Sequence, residues 1–182
     1  MRIIGGQWRG RKLPVIDAEG LRPTSDRTKE TLFNWLQFKL AATNCLDAFG
    51  GSGALAMEAL SRGAKQATLW ETHPAALASL QQLQKIAGSS LQVEQTCALT
   101  QLSQAASQQF NLVFLDPPFA YQQLNQLAEQ LTANGWLAPE ALVYVEVGRQ
   151  AGASSPFIPP ASCQLLKHKT SKEVVFSLYS VS

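Results

Sequence analysis

Cys45-Leu46-Asp47-Ala48-Phe49-Gly50-Gly51-Ser52-Gly53 is a short apolar run that carries one acid and breaks into a glycine-rich turn. Such a run reads as a buried strand. Ala54 to Arg62 follows at helical spacing and closes on Gly63, a residue suited to end a helix. Strand, glycine turn and helix make the opening unit of a doubly wound α/β sheet. The alternation continues downstream. Ala67 to Glu71 reads as the second strand, and Pro74 to Ala87 as a helix with proline in its first turn. Leu91 to Glu94 is a weak third strand, with a helix expected over 98–108. Asn111 to Leu115 is the fourth strand, Tyr121 to Leu131 a helix, and Ala141 to Val147 the fifth strand. Residues 148–160 are rich in Gly, Ser and Pro, and a loop is expected there. Gln164 to Lys167 and Val174 to Tyr179 have no helix between them, so a closing antiparallel hairpin is expected.

Upstream of the deciding stretch the pattern differs. Residues 1–16 alternate around Gly5, Gly6 and Gly10 and predict a small glycine-rich hairpin. Thr24 or Ser25 can cap a helix over 26–41, with Leu32, Phe33, Leu36 and Leu40 on its apolar face and Trp35 and Phe38 widening it. The expected division is an N-terminal extension over 1–24 and a main domain over 25–182.

With 182 residues and 46% apolar content the chain is long enough for one packed domain. No apolar run reaches the length of a bilayer span, and the start does not resemble a signal peptide. Cys45, Cys97 and Cys163 show neither a disulfide framework nor a zinc spacing. Two histidines far apart argue against a histidine metal site. A cytoplasmic protein with free thiols and no metal is expected. The net charge of +2 is unevenly spread: residues 1–30 hold seven cations against four acids, and the remainder is net negative by one. A basic end on a near-neutral body suits contact with a polyanion, although from charge alone a solvated charged surface is the favoured reading.

Two stretches carry chemistry. In an open α/β sheet, ligands sit at the carboxyl ends of the strands. The glycines after Phe49 let backbone approach a ligand closely. Glu71, at the end of the second strand, is placed to accept ribose hydroxyls. Gly51-x-Gly53-x-x-Ala56 also meets a lenient dinucleotide pattern, so NAD is a rival. Against it, Asp47 puts negative charge where S-adenosylmethionine carries an amino group and a sulfonium but NAD carries a pyrophosphate. The second stretch is Asp116-Pro117-Pro118-Phe119, after the apolar Leu112 to Leu115. Two prolines stiffen the segment and remove N–H donors. The Asp116 carboxylate and the backbone carbonyls are left as acceptors beside a flat ring. That suits a planar group bearing an NH₂ and has no role in hydride transfer. A rigid exit turn with a buried Phe is the plain alternative.

The chain resembles class I S-adenosylmethionine-dependent methyltransferases. It is most similar to the RsmD family, which methylates a guanine N2 in bacterial 16S ribosomal RNA. The resemblance spans nearly the whole chain. It is carried by Arg2 to Leu13, Leu21-Arg22-Pro23-Thr24, Glu30 to Leu36, the glycine loop, and Asp116 to Phe119. It implies a Rossmann-like, seven-stranded, mostly parallel sheet with a C-terminal antiparallel strand, plus a small N-terminal β-hairpin and helix. S-adenosylmethionine is the implied cofactor, and 16S rRNA or an assembling 30S subunit the implied partner of a monomer. Asp116, Pro117 and Phe119 are the implied catalytic residues. The carboxylate and the Pro117 carbonyl would accept the two amine hydrogens while Phe119 stacks on the base. Asp47, Phe49, Gly50, Gly51 and Gly53 would hold the cofactor with Glu71, Thr72, Cys97, Ala98 and Asp116. The family carries Asn or Asp where Cys97 stands, so the backbone at Ala98 is expected to contact the adenine. Gly51 replaces a usual Ala, and His73 a usual Asp. Arg2, Trp8, Arg9, Arg11, Lys12, Arg22, Thr24 and Arg27 are the implied RNA contacts. The Asp-Pro-Pro-Phe motif is shared with adenine-N6 and glutamine-N5 methyltransferases. Those activities, and a non-catalytic RNA-binding protein with this fold, are the alternatives.

Overall fold

A computed structural model describes residues 1–14, 25–149 and 156–182. Seven strands form one sheet: β1 (Asn44–Asp47), β2 (Gln66–Glu71), β3 (Leu91–Gln95), β4 (Phe110–Leu115), β5 (Leu137–Gly148), β6 (Cys163–Thr170) and β7 (Val174–Val181). Their order is β3-β2-β1-β4-β5-β7-β6. The first five strands are parallel. β7 is antiparallel to both β5 and β6, so β7 alone runs against the rest. The expected closing hairpin is present, with its second strand inserted inside the edge. The chain winds outward from β1 to β3 and then returns to β4, which leaves a topological switch point between β1 and β4.

Helices α1 (Asp26–Trp35), α2 (Ala54–Ser61) and α3 (Pro74–Ala87) supply the core on one face of the sheet, with Leu32, Phe33, Met57, Leu60, Leu80 and Leu83 fully or nearly buried. Helices α4 (Ala98–Leu102) and α5 (Leu124–Ala133) cover the other face through Leu102, Leu127 and Leu131. Trp136 fills that side, edge-on to Trp70 at 5.5 Å and stacked on Phe110 at 6.3 Å. Ser25 caps α1, its side chain accepting from the Thr28 N–H. Gly63, at φ 106, follows the end of α2, and Pro74 opens α3.

Several element boundaries differ from the expectation, among them the start of α5 and both ends of β6. α1 stops at Trp35 and gives way to a turn. Leu36 and Leu40 stay buried, but Phe38 is 89% exposed and widens no apolar face. α4 ends at Leu102, short of 108. β5 starts at Leu137, four residues early. Its first part, across Pro139, has no continuous ladder, because pairing to β7 begins only at Leu142 and the register to β4 shifts between Phe110 and Leu112. A missing proline N–H therefore costs nothing there. Glu140, at φ 58, makes the irregularity.

The N-terminal hairpin is held by one ladder bridge, Arg2 to Lys12. Within it the N–H groups of Ile3, Gly10 and Leu13 also donate to the carbonyls of Arg11, Ile3 and Met1, and the body it sits on adds further bonds. Glu58 of α2, fully buried, accepts the backbone N–H groups of Ile4 and Gly5, both at 2.8 Å. Ser61 takes the Trp8 N–H on its hydroxyl and the Gln7 N–H on its carbonyl. Lys29, also fully buried, donates to the Arg2 carbonyl at 2.8 Å and pairs with Asp26 at 3.2 Å. Gly6 is at φ +77, and a Cβ there would lie 1.8 Å from the Ser61 carbonyl oxygen. The hairpin and the end of α2 touch backbone to backbone.

Candidate active site

Side chains on a strand alternate between faces with period two. Asp47 pairs in register with Leu69 of β2 and Phe114 of β4, and Phe114 pairs with Tyr144 of β5. Two residues beyond those partners stand Glu71, Asp116 and Glu146. Four neighbouring strands thus each carry a carboxylate at or near the carboxyl end, on one face of the sheet and across the switch point. These four acids enter a cavity of about 660 Å³. The glycine loop, Thr72, Cys97 and Ala98 form one end of it. Tyr121 lies beside them against Phe49, and Pro117, Phe119, Ser25 and Thr28 of α1, Ser171, Glu173 and Val174 complete the lining. With Glu173, five carboxylates line the cavity, and no Lys or Arg among the described residues does.

Asp47 is only 2% exposed, and its Oδ1 has no hydrogen-bond partner. Burial pushes its carboxyl well above the ordinary range, and the Asp116 charge adds to this. The N–H groups of Phe49 and Ala56 pull the other way. A raised folded value means that the folded chain holds a proton the unfolded chain has released. Stability is therefore lost as pH rises from the unfolded value, near 3.8, toward the raised folded one. Asp47→Asn keeps the shape without the charge. Its thermal unfolding temperature is expected to exceed that of the native chain at pH 7, with the difference shrinking toward pH 4. An equal difference at both pH values would sink this assignment.

Glu71 accepts the N–H groups of Gly51 and Thr72, both at 2.7 Å, and of His73 at 2.8 Å. It clamps the glycine loop to the end of β2. Gly50 is required by close packing: a Cβ would sit 1.9 Å from Leu69 Cδ2. Gly53 does not line the cavity; at φ +72 it turns the chain into α2. Cys97 is exposed and precedes α4, and the Thr100 N–H lowers its thiol below the usual value. Tyr121 meets Phe49 edge-on at 5.1 Å. The Phe119 ring lies directly over Gly148, where an added Cβ would come within 2.6 Å of it.

Of the sites read from sequence, Asp47, Phe49, Gly50, Gly51, Glu71, Thr72, Cys97, Ala98, Asp116, Pro117 and Phe119 come together in this cavity. Arg2, Arg9, Arg11, Lys12 and Arg27 are exposed, Trp8 is half-buried against the core, and none of the six lines the cavity. Arg22 and Thr24 lie outside the described residues. The sequence reading did not single out Glu146, Glu173, Tyr121 or Thr28. Glu146 left a usable signal: it is the only charge in the apolar run 141–147, at the carboxyl end of a strand. Among the described residues, no cluster suited to a metal ion occurs and no helix is long and apolar enough to cross a membrane.

The sheet order, the lone antiparallel β7 and the acid-floored cavity at the switch point define the class I methyltransferase fold. A family model described as conserved hypothetical protein 95 matches residues 1–180. Ribosomal RNA small subunit methyltransferase D of Haemophilus influenzae is 47% identical, with 98% of this chain and 93% of that protein covered. The protein of the same name from Escherichia coli K12 is 46% identical over 98% of this chain and 89% of its own length. The solved structure of a candidate methyltransferase, yhhF from Escherichia coli, superposes with a TM-score of 0.89 at 45% identity, covering 100% of this chain and 98% of that one. The chain belongs to this family, that of the ribosomal RNA small subunit methyltransferase D proteins.

Proposed function

We propose that this chain transfers a methyl group from S-adenosylmethionine to the exocyclic N2 of a guanine in 16S ribosomal RNA. The relatives bear the name of that class of enzyme. One observation in this chain carries the reading. The glycine loop and Asp116-Pro117-Pro118-Phe119 open into one cavity that, among the described residues, is lined by five carboxylates and no Lys or Arg. Such a lining favours a cationic ligand and repels a pyrophosphate, which sets S-adenosylmethionine above NAD. The orphaned Asp47 Oδ1 is a buried acceptor suited to the ammonium of a methionyl group. Glu71 keeps lone-pair capacity for a ribose hydroxyl beside its three backbone donors. Thr72, Cys97 and Ala98 would bound the adenine. When bound, S-adenosylmethionine supplies an electrophilic methyl group.

The chain's own residues handle the acceptor. The amine lone pair of guanine is delocalised into the ring and is a weak nucleophile. The Asp116 carboxylate and the Pro117 carbonyl accept its two hydrogens and favour a pyramidal nitrogen. Phe119 stacks on the base and fixes its plane. The Asp116 charge opposes the positive charge that grows on nitrogen. Positioning supplies most of the acceleration, and the proton leaves late. The base must be unstacked to enter. Arg2, Arg9, Arg11, Lys12 and Arg27 grip phosphates from the hairpin and α1, and Trp8, Arg22 and Thr24 are further RNA contacts. Residues 1–24 act as the RNA-binding extension of a monomeric, cytoplasmic enzyme.

Incubation with labelled S-adenosylmethionine and small subunits lacking the modification tests the reading. One N2-methylguanosine is expected on nucleoside digestion. A product of N6-methyladenosine, labelled protein, or no transfer would overturn it.

A further inference from the structure

The Asp-Pro-Pro-Phe segment can hold an NH₂ on several bases, so something else must select guanine. Glu146 is placed for that. It is 6% exposed and lines the cavity at the end of β5, the strand next to β4. By register it stands beside Asp116, about 4.8 Å away across the ladder. Its Oε2 accepts the Tyr144 hydroxyl at 2.7 Å. Tyr144 is fully buried and its ring is wedged between Phe114 and Phe176, both within 6.3 Å. Glu146 is therefore oriented from below. Two residues further along the same strand, Gly148 provides the seat of Phe119. β5 thus fixes both an acid and the ring that sets the plane of the base. The same cavity contains the orphaned Asp47 Oδ1, an independent sign that it is built for a ligand rich in donors.

We infer that Glu146 is the specificity-determining residue of this site and accepts the N1–H of the target guanine while Asp116 and the Pro117 carbonyl hold its N2 amine. The inference rests on the functional reading above. Guanine presents N1–H and N2–H side by side, a row of donors that two adjacent carboxylates match. Adenine's amine is flanked on both sides by ring-nitrogen acceptors, so the second carboxylate would meet a lone pair. A buried acceptor facing an acceptor is rejected strongly because neither group regains the hydrogen bond that it had to water. Tyr144 is the positioning residue behind Glu146.

2-Aminopurine isolates this contact, because it keeps the amine at C2 but has a lone pair in place of N1–H. Small subunits are reconstituted with guanine or 2-aminopurine at the methylated position, and kcat/KM is measured for each. The native chain is expected to prefer guanine by roughly 10²-fold. Glu146→Gln is expected to lose about 10²-fold on guanine and to bring the two substrates within about tenfold, because its amide N–H can donate to N1. The missing O6 of 2-aminopurine weighs on both proteins equally, so the change in ratio reports on N1. Affinity for S-adenosylmethionine should stay unchanged. Tyr144→Phe, which leaves the carboxylate in place, should shift the ratio in the same direction by less; it decides the matter if Glu146→Gln does not fold. Transfer with an unchanged ratio in the variants, or a loss explained wholly by cofactor affinity, overturns this inference alone. Failure of the native chain to methylate guanine overturns the functional reading together with it.

Discussion

Asp116→Ala is expected to lower single-turnover methyl transfer by roughly 10³-fold, the scale seen when one preorganised electrostatic group is removed from an active site. Cofactor affinity should change by no more than a few-fold. Asp116 follows β4 and is only partly exposed, held between two neighbours of the same sign, Asp47 and Glu146. Its charge is one of the forces that keeps the Asp47 carboxyl raised. The substitution therefore removes an acceptor for the amine and also relieves Asp47. Asp47 then holds its proton less tightly, so the ligand-free variant should lose less stability than the native chain as pH rises above about 3.8, a second reading of the same variant. Calorimetric titration with S-adenosylmethionine separates binding from transfer. Near-native transfer in a variant that binds the cofactor normally would remove Asp116 from the mechanism.

The second large effect lies away from the cavity. Glu58→Ala is expected to cost about 3–5 kcal/mol of stability, the range for breaking a buried ion pair from one side. Glu58 is fully buried, accepts two backbone N–H groups of the hairpin, and pairs with Arg62 Nε at 2.7 Å. Its removal leaves two amides without an acceptor, and a guanidinium that also lies 5.2 Å from the Phe33 ring centre. Urea unfolding gives the stability, and hydrogen exchange at Ile4 and Gly5 reports whether the hairpin has lifted. RNA affinity should fall with that protection while cofactor affinity stays. A loss below about 1 kcal/mol with unchanged exchange would mean that the hairpin is docked by something other than Glu58.

The central sheet was legible because its strands are short apolar runs separated by glycine turns and amphipathic helices, and neither signal depends on the rest of the chain. Its edges were less so. Pro139 and Glu140 look like a break, and only the partner strands show that a ladder bond is not needed there. Phe38 follows the spacing of a buried face, yet the helix has already ended and the ring is in solvent. At the site, Asp47, Glu71 and Asp116 were readable because each ends an apolar run beside a glycine or proline signal. Glu146 ends a similar run without one, and its place beside Asp116 follows from the order β4-β5, which no local pattern encodes. Glu58 and Lys29 were illegible for a different reason. A charge on a helix is usually solvated, and only the docked hairpin makes these two internal.

Helix α2 begins where the glycine loop ends and finishes beneath the hairpin. Its eight residues span about 12 Å at the fixed rise of an α-helix. On the proposed reading it acts as a ruler. The distance from methyl donor to phosphate grip is a length cut into the protein, with no slack at either end, because Gly53 and Gly6 both pack against neighbours at closest approach. A target nucleotide is then chosen partly by measurement: its base must reach the pocket from a backbone lying one helix length away. Folded ribosomal RNA offers many guanines of the same chemistry, and far fewer at that offset from a rigid stretch of backbone.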